Sequence, residues 1–327
     1  MRRDRAMTVR EPTREGVLRA AEKVAQILPP TPLLPFEIGD IRVWAKAECL
    51  QPIGAFKIRG AWHRLTELSE LERARGVVGV SSGNHAQGVA WAARKLGIAA
   101  TIVMPSNAPA VKLERTRALG AEVVLYDRAS GDRDAIAGEL VARTGATLVH
   151  AYADPWVIEG QGSAGIEIAA QMEQWAGGPP TRLIAPCGGG GLSAGLALAC
   201  LDAEIVPVEP VGWDLIGRSL AQRQPLRLPP DAPATICDCL QAPVARKINL
   251  NVLQGRAAPG VTVTDAEVRA AMRYAFANLR LVVEPGAASG LAAALAGKVS
   301  VDGRTAILLT GGNVDAARFA EALAEGN

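Results

Sequence analysis

The run from Leu183 to Leu201 carries no charged side chain, and four consecutive glycines, Gly188 to Gly191, sit in its middle behind Pro186. A membrane-spanning helix would need this length uninterrupted, which the proline and glycines forbid. The run therefore divides into a buried strand, a glycine loop from Cys187 to Leu192, and an apolar helix. A strand apolar on both faces needs cover on both faces, so the chain is expected to be a layered α/β protein with helices flanking a largely parallel sheet.

The remaining pattern agrees. From Gly76 onward, short apolar strands alternate with helical stretches: Val77 to Val80 and a helix to Leu96, Ala100 to Met104 and a helix to Leu119, Glu122 to Leu125 and a helix to Thr144, then Thr147 to His150. A second series runs from a helix at Pro155 to Trp175 through strands at Arg182 to Ala185 and Glu204 to Val208. Near the C-terminus, Thr264-Asp265 caps a helix with Val268, Ala271, Met272, Ala275, Phe276 and Leu279 on one face; a helix opens at Glu284-Pro285, a strand at Thr305 to Leu309, and the last helix at Asp315. Before these lie a helix from Glu15 to Ile27, an extended crossing at Pro29, Pro30 and Pro32, and a strand from Ile41 to Ala47, while residues 222–262 resist assignment. Two series predict two sheets, with a small domain of residues 53–151 inserted into a large domain of residues 1–52 and 152–327.

A length of 327 residues supplies both cores, and a formal charge of only +2, spread along the chain, argues against a nucleic-acid partner. The arginine-rich N-terminus contains no apolar segment, so neither a signal peptide nor a membrane partner is expected. Cysteines 49, 187, 200, 237 and 239 lack paired spacing and read as buried thiols of a reducing, cytoplasmic setting, Cys237-Asp238-Cys239 being a weak metal candidate. Small molecules are the expected partners.

Lys57, between Phe56 and Ile58 after a turn at Pro52 and Gly54, sits where an ammonium can be desolvated into a nucleophilic amine, the requirement for a Schiff base. Alone it reads more readily as a surface lysine on the first turn of an amphipathic helix running through Leu65 and Leu68. The glycine run Gly188 to Gly191 can direct backbone N–H groups at an anion, with phosphate the natural guest. Its spacing Gly188-x-Gly190-x-x-Ser193, with Glu209 ending the next strand, also approximates a dinucleotide fingerprint without its third glycine, which keeps a nucleotide-dependent oxidoreductase as an alternative. Ser81-Ser82-Gly83-Asn84-His85 follows a strand and opens a helix, which suits a carboxylate or plain capping, and Thr310-Gly311-Gly312-Asn313 repeats that placement.

Taken in order, Gly-Ala-Phe-Lys-Ile-Arg-Gly-Ala around Lys57, Ser-Ser-Gly-Asn-His, Gly-Gly-Gly-Gly-Leu, Val-Glu-Pro-Gly-Ala and Thr-Gly-Gly-Asn resemble the fold-type II pyridoxal phosphate enzymes, most of all the threonine/serine dehydratases and serine racemases. The resemblance runs from about Thr31 to Asp315 and includes no regulatory domain. It implies the two-domain, tryptophan synthase β-like architecture, and pyridoxal 5'-phosphate held covalently on Lys57 with Phe56 beside its ring. It further implies Asn84 at the ring hydroxyl, Gly188, Gly189, Gly190, Gly191 and Leu192 around the phosphate, Glu284 lining the hydroxyl side and Thr310 at the ring nitrogen. A hydroxyl there leaves the nitrogen unprotonated, as suits β-elimination. Ser81, Ser82, Asn84 and His85 would receive the substrate carboxylate, and Arg133 matches a substrate-contacting arginine of the racemases. Lys57 would act as anchor and base, and Ser82 matches the acid/base that racemases use on the opposite ring face. A homodimer is implied by the resemblance alone.

Two departures stand out. The family's cation site pairs a Glu with an Asp six residues later; here Glu209 is followed at that spacing by Leu215, with Asp214 one residue early, so a divalent cation is not expected. Tyr152 and Ala242 replace small polar pocket residues, hinting at a bulkier or more apolar β-substituent such as that of 3-phenylserine.

Overall fold

The computed structural model describes residues 10–81, 83–108, 110–127 and 132–324. Its elements are α1 (Arg14–Ala25), β1 (Leu33–Ile38), β2 (Ile41–Lys46), α2 (Lys57–Thr66), α3 (Glu70–Arg75), β3 (Val77–Val80), α4 (Asn84–Leu96), β4 (Ala100–Pro105), α5 (Ala110–Ala118), β5 (Glu122–Tyr126), α6 (Arg133–Thr144) and β6 (Thr147–Val149). They continue as α7 (Pro155–Trp175), β7 (Arg182–Pro186), α8 (Gly191–Ala199), β8 (Glu204–Pro210), α9 (Leu215–Gln222), α10 (Lys247–Leu253), β9 (Val261–Val263), α11 (Asp265–Tyr274), α12 (Pro285–Leu295), β10 (Thr305–Leu308) and α13 (Ala316–Ala324).

These strands form two sheets, one ordered β1-β2-β10-β7-β8-β9 and one ordered β5-β4-β3-β6. The smaller is wholly parallel, with Val77 paired to Ala100 on one side and Thr147 on the other. In the larger, only β1 and β2 run antiparallel, Leu33 opposite Lys46. The chain builds β1 and β2, leaves to form the whole four-stranded sheet, and returns as β7 to the sheet it began. No described helix is long and apolar enough to cross a membrane.

Helix starts follow local chemistry. Thr264 accepts from the Glu267 N–H while the Glu267 carboxylate accepts from the Thr264 N–H, a reciprocal cap on α11. Asp154 caps α7, whose first residue is Pro155. The face expected on α11 holds for Val268, Ala271, Met272 and Ala275, but Phe276 is exposed, because the helix widens into a π-turn over Ala275–Leu279 and rotates that ring outward against Phe319. Cys239 corrects the expectation of five buried thiols: it is exposed, while the other four are buried.

The residues around Lys57 are fixed by an ionic cluster. Arg59, fully buried on the first turn of α2, donates from Nε and Nη2 to both Glu48 oxygens (2.7 and 2.8 Å) and from Nη1 and Nη2 to both Glu167 oxygens (2.6 and 2.7 Å). Lys46 adds a bond to Glu167 at 2.7 Å, and the Thr31 hydroxyl donates to Glu48 at 2.6 Å. Burial works to raise the Glu48 carboxyl, but Arg59, Lys46 and Thr31 outweigh it and hold it at about 2. Truncating Arg59 to alanine strands two carboxylates in the interior. The expected loss is about 3–5 kcal/mol, read as a lower urea midpoint, with Arg59→Lys losing the bidentate geometry and recovering only part. Because the Glu48 pKa is depressed in the folded state, its contribution is present above its ordinary 4.5 and disappears as pH falls toward 2.

Candidate active site

Four strand ends supply the site. The segment before Lys57 is stitched to the loop after β10: Phe56 N–H donates to the Thr310 carbonyl at 3.0 Å, Gly312 N–H to the Gly54 carbonyl at 2.9 Å, and Ala55 bridges Gly311. Lys57 itself starts α2, and its Nζ donates to the carbonyl of Ala151, just past β6, at 2.8 Å. That amine lies 5.0 Å from the centre of the Phe56 ring. Burial pushes its pKa down to about 8, so an appreciable fraction is neutral near physiological pH. The surface-lysine alternative fails on this geometry.

Asn84 and Glu284, 200 residues apart in sequence, meet through a 2.5 Å bond from Asn84 Nδ2 to Glu284 Oε1. Asn313 donates from Nδ2 to Asn84 Oδ1 and to the Ile53 carbonyl, both at 2.8 Å, which fixes the Asn84 amide and ties it to the lysine segment. Burial, reinforced by Asp238, raises the Glu284 carboxyl to about 7. Thr310 is buried beside this group. Asp238, Cys239 and Glu284 bring ligand-type atoms within 4.8 Å of one another, so the convergence involves Cys239 and not Cys237, which lies in the core; Asp238 is already paired with Lys112 at 2.7 Å.

The loop between β7 and α8 is a cradle with no room for side chains. Gly190 has φ +82, the left-handed region that glycine adopts freely. A Cβ on Gly189 would lie 2.3 Å from the Tyr152 ring, and one on Gly191 would lie 2.9 Å from the Tyr152 carbonyl. Asn249 Nδ2 donates to the Gly189 carbonyl, leaving the loop's amides to point elsewhere, at the start of α8. The buried Ser193 hydroxyl within that first turn has no protein partner. A glycine cradle at a helix start, with an unpaired buried hydroxyl in that helix's first turn, fits a phosphate.

At the second helix start, Ser81 Oγ accepts from the Gly83 N–H at 3.1 Å, and the first N–H groups of α4 have no partner one turn earlier. Ser82 lies outside the described residues. His85 differs from expectation. It is buried, its Nε2 lies 2.8 Å from the Val149 carbonyl, and burial together with Lys57 lowers it to about 3. Neutral and donating to that carbonyl, the ring presents only a lone pair on Nδ1, so what His85 offers a carboxylate is its backbone N–H. Arg133 sits at the start of α6, partly exposed, within electrostatic reach of His150 and Tyr152.

The dinucleotide reading is corrected by geometry. Glu209 accepts the Ile216 and Gly217 N–H groups at 2.7 and 2.9 Å, one on each oxygen, and burial raises it to about 8. A buried carboxylate bound on both oxygens to the start of α9 is not the ribose ligand of a dinucleotide site. Tyr152 donates its hydroxyl to the Val244 carbonyl at 3.0 Å, packs its ring edge-on to His150 at 4.6 Å and covers Gly189. The Ala151 carbonyl, Asn249 and Asn313 were not assigned roles from sequence. A carbonyl has no side-chain signature, whereas Asn313 stood within a motif already noticed.

The sequence matches the family described as pyridoxal-phosphate dependent enzyme over residues 24–311. It is 39% identical to an L-threo-3-hydroxyaspartate ammonia-lyase of a Pseudomonas species across 94% of this chain and 97% of that one. An L-threonine ammonia-lyase of Thermotoga maritima is 35% identical across 85% of this chain and 69% of its own length. Among solved structures, maize serine racemase superposes with a TM-score of 0.87 at 32% identity, covering 97% of this chain and 98% of that one. Members of this family carry pyridoxal phosphate bound covalently to a lysine.

An amine with its pKa lowered to about 8 should react with the cofactor at lower pH than an ordinary lysine would. Borohydride trapping of cofactor-free protein mixed with pyridoxal phosphate is expected to speed up through about pH 8 and level off above it, with the adduct on the peptide containing Lys57. A midpoint near the ordinary 10.5, or an adduct elsewhere, would contradict the site.

Proposed function

We propose, from the premise that this chain belongs to the pyridoxal-phosphate dependent enzymes, that it is an ammonia-lyase converting a β-hydroxy-α-amino acid, of the class that includes serine, threonine and larger analogues, to a 2-oxo acid and ammonia. The observation that carries this reading is the Lys57 amine, desolvated and aligned by the Ala151 carbonyl on a segment stitched to the Thr310 loop. When bound, the cofactor draws into its ring the electron pair released at the substrate Cα.

The protein's own groups then divide the work. Lys57 Nζ anchors the cofactor and takes the Cα proton, a task suited to an amine whose pKa lies near the working pH. Gly188, Gly189, Gly190 and Gly191, with Leu192 and the start of α8, hold the phosphate. Phe56 would lie beside the ring, and Asn84, fixed by Glu284 and Asn313, would offer its remaining N–H to the ring hydroxyl. Thr310 would offer the ring nitrogen a hydroxyl that does not ionise, a partner that would leave that nitrogen neutral. The substrate carboxylate meets Ser81, Ser82 and the amides of Asn84 and His85, where the α4 dipole favours negative charge. In balance, the Cα hydrogen and the β-hydroxyl leave as water, and water returns to release ammonium from the carbon that becomes the oxo group.

The match of Ser82 to the acid/base that racemases use carries a second outcome, racemisation. Holoenzyme given L-serine, L-threonine and larger β-hydroxy amino acids is expected to release ammonia and oxo acid in equal amounts. Accumulation of the D-enantiomer without oxo acid would instead make it a racemase. Lys57→Ala is expected to lose at least about a thousandfold in kcat, the scale of removing a nucleophile that is also the general base. Ser82→Ala should spare ammonia release from the L-substrate and abolish inversion.

A further inference from the structure

Lys112, on the first turn of α5, carries its charge to a place where only 15% of the side chain meets solvent. Desolvating an ammonium costs free energy unless an anion pairs it, and here Nζ donates to Asp238 Oδ2 at 2.7 Å. Arg115 Nη1 donates to Asn313 Oδ1 at 3.1 Å, so two cations spaced i and i+3 on α5 reach from the smaller sheet's side of the site to the larger's.

The neighbours of the Lys112 ammonium surround the site. A Cβ on Gly83 would stand 3.8 Å from Lys112 Nζ, which sets the charge against the turn that opens α4. On the other side, Asp238 brings a carboxylate oxygen within 4.8 Å of Glu284 and of the Cys239 sulfur. Glu284 in turn accepts from Asn84, the residue after Gly83, so the contacts close into a ring. Within that ring Asp238 is, after burial, what raises Glu284 toward neutrality. The same negative charge lies one side chain from the start of α4, where it opposes an incoming carboxylate unless a cation offsets it.

We propose that Lys112 is a positioning residue that acts through Asp238: by neutralising that acid it keeps the start of α4 attractive to the substrate α-carboxylate while Asp238 stays beside Glu284. This rests on the ammonia-lyase reading above, which seats the substrate carboxylate at α4. Lys112 is committed to Asp238 and does not hold the substrate itself. Its effect is one of charge balance, so it belongs to the pair rather than to the lysine alone.

Spectral titration of the holoenzyme with L-alanine, which has the α-carboxylate but no leaving group on Cβ, measures that seat without turnover. Lys112→Met keeps the length of the side chain and removes its charge. It should raise the L-alanine dissociation constant about 5–20-fold, and the KM for L-serine by a similar factor, with kcat changed less than about twofold. Adding Asp238→Asn to Lys112→Met removes both charges and should bring both constants back to within about twofold of the wild type. A double variant as weak as Lys112→Met overturns the proposal, because Lys112 would then serve the substrate or the turn directly. So does a Lys112→Met enzyme that binds L-alanine as the wild type does, or a wild type whose spectrum L-alanine leaves unchanged. Should the wild type bind L-alanine yet release no ammonia from any β-hydroxy amino acid, the lyase reading falls while the titration still decides the role of Lys112.

Discussion

The reactive lysine can be placed only because Arg59, two residues further along the chain, is immobile. Its buried guanidinium spans Glu48, just after β2, and Glu167, in the middle of α7, with four charge-assisted bonds. Such a cluster contributes little net stability relative to a well-packed apolar core, because desolvation consumes most of the Coulomb gain. What it supplies is position. Ion pairs with fixed bidentate geometry tolerate little displacement, so the first turn of α2 is pinned to the sheet and to α7 at once. The Lys57 side chain then has one direction in which to extend, toward the Ala151 carbonyl.

Around that fixed amine the protein maintains neutral groups and partial charges rather than full ones. His85 and His150 are held neutral by burial and neighbouring cations, and Glu284 is raised toward neutrality by burial and Asp238. Anions are met by backbone N–H groups at the starts of α4 and α8. An ammonium surrounded by carboxylates would be stabilised and useless as a nucleophile; one surrounded by neutral rings loses its proton more readily. The lowered Lys57 pKa therefore follows from the same design that neutralises its neighbours.

Much of this was legible in the chain. β3 and α7 have their expected bounds and α4 ends as expected at Leu96; β4, β5, β7 and β8 run one or two residues past the expected ends, whereas β2, β6 and β10 stop one residue short. β1 escaped notice because Pro35 and Glu37 break its apolar pattern, which an antiparallel edge strand permits. α10 was hidden among turn residues, and Phe276 misled because periodicity cannot foresee a π-turn. The glycine loop, Lys57 and the Asn84 segment could be picked out because their chemistry lies in residue type. The Ala151 carbonyl, the Asn249 brace and the imidazole tethered to Val149 depend on which strands become neighbours, and no local pattern encodes that.

The chain path explains how such distant groups meet. The loops after β3 and β6 in one sheet and after β7 and β10 in the other leave the C-terminal ends of strands, where open parallel sheets leave a crevice, and Glu284 joins them from the start of α12. Inserting the four-stranded sheet between β2 and β7 sets two such crevices against each other. The lysine segment, at the start of the insertion, is hydrogen-bonded back to the loop after β10, while Lys57 reaches the Ala151 carbonyl at its end. The reacting amine thus bridges the two sheets. Contacts such as Lys112 with Asp238 and Arg115 with Asn313 join them again at the rim. A site divided between two sheets draws its groups from both, and the bonds of Arg59 to Glu48 and Glu167 fix the amine between them.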